Sequence, residues 1–291
     1  MDSVFHETKT HGKVTFPYTV YYGNIPKYIL SYPLHWHNEM ELIYNVHGTG
    51  IITVEDKQYT FNEGDLIILP PEIIHAIEQL DNEVVEYYNI LFQLSLLTNN
   101  SSDPCYDKFL RPFYNRTIIC PHHFNAESNV TTELLPYIKA LIENRHKSYN
   151  GYELMVKSNL YAIMHIIILN CTAAKANDIS STNTYNKLKE SLSYIHKNYM
   201  DEISVKDAAK QCGFSESHFM KLFKNLTGIS FTQYLKNYRL ELAANQILNT
   251  KEHIIDIAHN TGFSNHSYFT RSFLDKYNVT PSNYRKKTFQ K

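Results

Sequence analysis

Seven residues in the last third of the chain, Ala209-Lys210-Gln211-Cys212-Gly213-Phe214-Ser215, return 49 positions later as Ala258-His259-Asn260-Thr261-Gly262-Phe263-Ser264. Past that turn the offset becomes 50, with Phe219, Phe223 and Tyr234 answered by Phe269, Phe273 and Tyr284. One residue has been inserted at the start of the second copy's last helix. Whatever this segment folds into, the chain must build it twice, and each copy reads as helix, glycine turn, helix. In the first copy Ser204 and Asp207 have the spacing of a capping box. Gly213 stands where a tight turn requires a positive φ. Ser215 opens a second helix that turns Phe219, Leu222 and Phe223 inward. The second copy ends on Thr280-Pro281, an N-cap followed by proline at the first helical position.

A short helix, a glycine turn and a second helix outline a helix-turn-helix, whose second helix enters the DNA major groove. Ordinary helical hairpins share the outline, so charge and geometry have to decide. From Tyr185 onward the chain carries 16 Lys+Arg against 9 Asp+Glu, whereas residues 1–184 carry 12 against 20. The overall net charge of -1 hides this asymmetry, which suggests that the C-terminal part meets a polyanion. Ser230-Phe231-Thr232-Gln233 has capping-box spacing and opens a helical pattern to Leu248, about 27 Å at ~1.5 Å per residue. Such a spacer suits two recognition helices about one duplex turn, ~34 Å, apart.

From Gly262 through Arg285, and more broadly over residues 185–291, the sequence resembles the double helix-turn-helix domain of AraC-type transcription regulators. The resemblance rests on Gly262-Phe263-Ser264, Phe269, Arg271, Phe273, Thr280-Pro281 and Tyr284-Arg285 at the family spacing. It implies that Ser217, Met220 and Lys221 on the first recognition helix, and Asn265, His266, Thr270 and Arg271 on the second, contact bases or backbone. Arg271 has the bidentate geometry for guanine O6 and N7, while Lys224 is expected on phosphate. A solvated helix face is the alternative for any one of them. Met220 departs from the long polar side chains common there, and suits a thymine methyl.

The rest of the chain has a different texture. Tyr18–Tyr22, Met40–Tyr44, Ile51–Val54, Leu66–Leu69 and Val84–Leu94 are short β-branched and aromatic runs, and Val54 to Tyr59 reads as a hairpin. Closely spaced strands predict a sandwich or small barrel. After Pro121 the period changes to about 3.6: Leu134, Leu135, Ile138, Leu141 and Ile142 mark one amphipathic helix, and Leu160, Ile163, Met164, Ile167, Ile168 and Cys171 another. Residues 173–184 (AAKANDISSTNT) are small, polar and aperiodic, and predict a linker. A hydrophobic share of 43% against 20% charged residues excludes a disordered chain. The longest apolar run, Tyr161 to Leu169, falls short of the ~20 residues of a bilayer span. The start, Met1 to His6, lacks the pattern of a cleaved secretion signal. Cys105, Cys120, Cys171 and Cys212 have no metal-ligand or redox spacing, so reduced thiols in a cytoplasmic protein are expected.

His35-Trp36-His37, then Glu41 and Gly48, and later Gly64, Pro70 and His75, resemble the two motifs of the cupin barrel. Its metal-binding members use His, His, Glu and His, here His35, His37, Glu41 and His75. Glu72, where glycine is usual, and the lack of an Asn after His75 at the family spacing depart from that pattern. AraC-type regulators commonly keep such a barrel to hold a small effector, and Tyr44, Trp36 and Tyr59 are candidate pocket residues.

The expected architecture is multi-domain. An N-terminal all-β cupin-like barrel (1–128) carries a helical hairpin for self-association (129–172), followed by the linker (173–184) and a C-terminal all-α double helix-turn-helix (185–291). The resemblance implies a transcription regulator without catalysis that binds promoter DNA, works with RNA polymerase and dimerises through its hairpin. Its effector, a carbohydrate by family habit, would bind His35, His37, Glu41 and His75, with no metal or other cofactor and no membrane partner. The competing reading is a cupin metalloenzyme, an isomerase or dioxygenase, fused to a DNA-targeting module.

Overall fold

The computed structural model describes residues 11–288 except 14, 27–31, 82 and 99–102, so the start at Met1 to His6 lies outside the described residues. The chain divides into two compact units, Met1–Tyr185 and Asn186–Lys291.

The first unit opens with eight strands: β1 (Tyr18–Ile25), β2 (Tyr32–His35), β3 (Met40–His47), β4 (Gly50–Val54), β5 (Lys57–Phe61), β6 (Leu66–Leu69), β7 (His75–Gln79) and β8 (Val85–Phe92). A short helix α1 (Arg111–Tyr114), strands β9 (Ile118–Ile119) and β10 (His123–Phe124), helices α2 (Asn129–Glu143) and α3 (Tyr152–Leu169), and β11 (Thr172–Ala173) follow. Two larger antiparallel sheets result, ordered β1-β8-β3-β6-β10 and β2-β7-β4-β5, and β9 pairs with β11 in a separate two-stranded ribbon. Side chains alternate along a strand, and β3 and β6 use both faces. Ile43, Ile67 and Leu69 join Ile52, Val54, Phe61 and Ile77 between the sheets. Met40, Leu42, Leu66 and Ile68 face the other way and meet Leu134, Ile138, Leu160 and Ile163 of the hairpin. That double burial explains the unbroken apolar run Leu66-Ile67-Ile68-Leu69, all four fully buried.

Two sequence expectations change here. By length and composition α3 is apolar enough to cross a membrane, because Tyr152 to Leu160 extends the apolar run into an 18-residue helix. Its Val156, Leu160, Ile163, Met164, Ile166 and Ile167 are buried in the core of the first unit. The expected linker is also largely helical, since α4 runs from Ala176 to Asn198. Leu188, Leu192 and Ile195 are buried and demand the helix. Extending it backward through residues without Gly or Pro costs little once the helix is nucleated.

Beyond α4 the second unit contains α5 (Val205–Gln211), α6 (Glu216–Thr227), α7 (Phe231–Asn249), α8 (Ile254–Asn260), α9 (His266–Tyr277) and α10 (Pro281–Thr288). The duplication is visible in its packing. Phe223 meets Tyr234 edge-on with ring centroids 5.0 Å apart, and Phe273 meets Tyr284 edge-on at 5.3 Å. Gly228 closes α6 and Asn278 closes α9, both left-handed. Where the copies differ is at the entry: Ser204 and Asp207 form a complete capping box on α5, while His253 opens α8 without a side-chain cap.

Candidate functional site

Alternation along β3 that turns Leu42 toward the hairpin turns Glu41 into the space between the sheets. β2 and β7 pair so that His35 lies directly opposite His75, and the loop after β2 folds His37 back over them. All four side chains are buried. Glu41 Oε2 lies 2.9 Å from His37 Nε2 and 3.0 Å from His75 Nε2. Burial pushes the Glu41 carboxyl up, but the charge and hydrogen bonds of His75 and His37 outweigh it and hold the group well below the usual carboxylate range. Glu41 is therefore held as an anion although its side chain is buried.

The neighbours orient the imidazoles. With His75 Nδ1 donating to the Ile73 carbonyl at 2.9 Å, Nε2 is the nitrogen turned to Glu41. Glu39, also buried, stands 3.5 Å from His37 Nδ1 and accepts from Gln93 Nε2 at 3.1 Å. A ring nitrogen and a carboxylate oxygen attract at such separations only with a proton or a cation between them. The four donor atoms lie within 4.8 Å of one another, and a tetrahedral ion bound at ~2.0–2.2 Å to each would hold them ~3.3–3.6 Å apart, so the widest pairs would have to draw in by about 1 Å. By donor chemistry and spacing, His35, His37, Glu41 and His75 fit a transition metal.

Three residues that the sequence does not single out complete the site. His11 sets its ring 6.0 Å from that of His37 and 5.6 Å from that of Tyr21. With Asn89 of β8 they line a cavity of about 20 Å³ that also touches His35 and Glu41. Only their contacts across the fold reveal them. Trp36, Tyr44 and Tyr59 do not line this cavity. Tyr44 packs on the hairpin side of β3, and Tyr59 lies tilted against the His123 ring with centroids 5.9 Å apart.

The departure at Glu72 also has a structural reading. Its φ is +62° and its backbone N–H donates to the His37 carbonyl at 2.7 Å, so the chain needs a left-handed residue here to hold the His37 loop. Arg116 secures the turn by donating to the Glu72 carbonyl at 2.7 Å and to Glu55 at 2.6 Å.

In the second unit Phe219, Phe223, Phe269 and Phe273 are fully buried, and Ser217, Met220, Lys221 and Lys224 are exposed on α6. On α9 His266 and Arg271 are exposed and Thr270 is half-buried. His266 and Thr270 line an open groove with the starts of α8 and α10. Asn265 also serves the fold, since its side chain accepts from the Tyr268 N–H at 2.9 Å and caps α9. Its amide NH2 stays available for a base or phosphate.

An AraC-like ligand binding domain model matches residues 28–164 and a helix-turn-helix domain model matches residues 197–287. YdeC, a helix-turn-helix-type transcriptional regulator of Bacillus subtilis, is 22% identical over 98% of this chain and 97% of its own length. The transcriptional activator RhaR of Mannheimia succiniciproducens is 25% identical over 89% of each chain. Among solved structures, ToxT from Vibrio cholerae is 14% identical, covering 92% of this chain and 97% of that one, with a TM-score of 0.44. With its strand-rich ligand-binding domain and duplicated helix-turn-helix at these positions, the chain belongs to the AraC-type transcription regulators.

Proposed function

We propose that the chain is an effector-responsive cytoplasmic regulator, without catalytic activity, that binds promoter DNA as a homodimer and acts with RNA polymerase. The observation that carries this reading is the pair α6 and α9. Each is anchored by two buried phenylalanines and turns polar and cationic side chains outward in a unit rich in Lys and Arg. Exposed Leu154, Tyr161 and Leu169 on α3, together with Tyr137 on α2, supply an apolar face for self-association.

Binding of the full chain to its promoter should weaken steeply with salt as Lys and Arg displace condensed counterions. Arg271→Ala is expected to cost ~1–3 kcal/mol on the preferred site and to relax its sequence preference. Lys224→Ala should weaken all sequences alike. Competition assays over a salt series check both, and a chain that binds no promoter-length duplex at low salt refutes the reading.

The effector is assigned to His35, His37, Glu41 and His75. Glu41→Gln should abolish the effector's influence on promoter output while DNA affinity without effector stays as in the wild type. A reporter assay paired with a gel-shift titration measures the two separately.

A second reading follows from cavity size. About 20 Å³ holds roughly one water-sized particle, which suits an ion better than a sugar. In that reading a transition metal, when bound, supplies a Lewis-acidic centre that fixes the His37 loop. Elemental analysis of protein purified without a histidine tag separates the two. About one metal per chain, lost in His37→Ala, supports the ion, and a blank result supports an organic effector.

A further inference from the structure

Cys120 and Cys171 are 51 positions apart in the sequence and opposite one another in the fold. β9 pairs with β11 antiparallel, Ile119 facing Thr172 and Ile118 facing Ala173. One more step of that register sets Cys120 against Cys171. The Ala174 N–H donates to the Thr117 carbonyl at 2.9 Å, which makes Ala174 and Thr117 a hydrogen-bonded pair. Because such pairs alternate, Cys120 and Cys171 occupy a non-hydrogen-bonded position, where Cα atoms approach to ~4.5 Å and side chains come closest. That separation lies within the span of a disulfide. The two side chains lie within interaction range of each other; Cys120 is buried at the edge of the hairpin core with its thiol on the Pro121 carbonyl at 3.4 Å, and Cys171 is half-buried with its thiol on the Ile167 carbonyl at 3.3 Å.

We propose that Cys120 and Cys171 are a peroxide-reactive pair that closes to a reversible disulfide. The division of labour follows from their surroundings. Cys171 is the more accessible, and its interaction with the neighbouring Cys120 side chain draws it below the usual thiol range against the opposing effect of burial. The hydrogen bond to Cys171, followed by burial, raises Cys120. Cys171 thiolate attacks one oxygen of hydrogen peroxide. The O–O bond breaks, one water leaves after protonation, and Cys171 becomes a sulfenic acid. Cys120 gives up its proton and attacks Cys171 Sγ, the S–O bond breaks, and the hydroxyl leaves as a second water. In sum two thiols and one peroxide give one disulfide and two waters, and thiol exchange with a dithiol restores both cysteines. The bond would tie together the two ends of the segment that holds α2 and α3, stapling the root of the hairpin.

The test is a thiol map of the reduced full-length chain after graded hydrogen peroxide, alkylation of remaining thiols and proteolysis. The expected product is a peptide joining Cys120 to Cys171, with free thiols falling from four to two and returning after dithiothreitol. Cys105→Ser should behave as the wild type, because that exposed thiol has no part in the bond. Cys120→Ser should halt Cys171 at the sulfenic acid, which dimedone captures. The proposal is overturned if both cysteines remain alkylatable at a dose that oxidises Cys105, or if Cys171 passes to sulfinic acid with Cys120 still free. Should Cys120→Ser fail to fold, the wild-type map alone decides.

Discussion

Gly262→Ala is expected to destabilise the second unit by ~3–5 kcal/mol, whereas Gly213→Ala, at the matching position of the first copy, should cost only ~1 kcal/mol. Both glycines are left-handed, with φ of +87° and +66°, so both substitutions carry the backbone penalty of an L side chain in that region. Their surroundings differ. A Cβ on Gly213 meets open space. On Gly262 it would lie 2.5 Å from the Tyr199 carbonyl oxygen and 2.8 Å from Arg239 Nε. Neither neighbour can withdraw cheaply, because Arg239 donates to the Tyr199 carbonyl at 2.8 Å and to the Asp201 carbonyl at 2.8 Å. The end of α4, the middle of α7 and the second glycine turn are thus locked at one point. Urea unfolding of the two variants checks the contrast, and equal losses would show that the clash relaxes. In Gly262→Ala the position of α9 should also suffer, so its promoter affinity should fall even where the chain stays folded.

This difference marks how far the sequence could be read. The repeat, the caps at Ser204 and Ser215 and the need for glycine at 213 and 262 are local properties, carried by residues three or four positions apart. Which glycine is crowded depends on Arg239 and Tyr199, which come from other helices. The same division holds in the first unit. His35, His37, Glu41 and His75 stand out because strand spacing and residue type suffice to mark them, and β3 and the pairing of β2 with β7 bring them together. His11, Tyr21 and Asn89 reach that cavity from separate segments and carry no mark of their own. Tyr44 looked equally able to face inward, and only the register against β6 and β8 assigns it to the hairpin side. The helical start of α4 was hidden for a different reason. Its small polar residues have no periodicity, and the helix is imposed by the apolar face that begins at Leu188.

Lowering the pH is expected to weaken the second unit through His196 more than through any surface histidine. This side chain lies on α4, fully enclosed, with Nε2 3.3 Å from the Tyr234 hydroxyl and its ring 4.8 Å from that of Tyr238 on α7. Burial lowers its pKa from 6.5 to about 3. The unfolded chain therefore binds a proton that the native unit refuses. Stability is at its full value above pH 6.5 and is lost as pH falls from there toward 3. The loss is ~1.4 kcal/mol for each pH unit, with a ceiling on the order of 4–5 kcal/mol. Tyr234 links this position to the first recognition helix through its edge-on contact with Phe223, so promoter affinity should decline over the same interval. Denaturant midpoints of wild type and His196→Gln at pH 7.5 and pH 4.5 measure the effect. Glutamine can still hydrogen-bond to Tyr234 but takes up no proton. The variant should therefore lose ~2–3 kcal/mol less than the wild type between the two pH values, whatever other groups titrate in both. Identical losses would mean that His196 finds water or a partner in its charged form, and that the contact between α4 and α7 opens more readily than its burial implies.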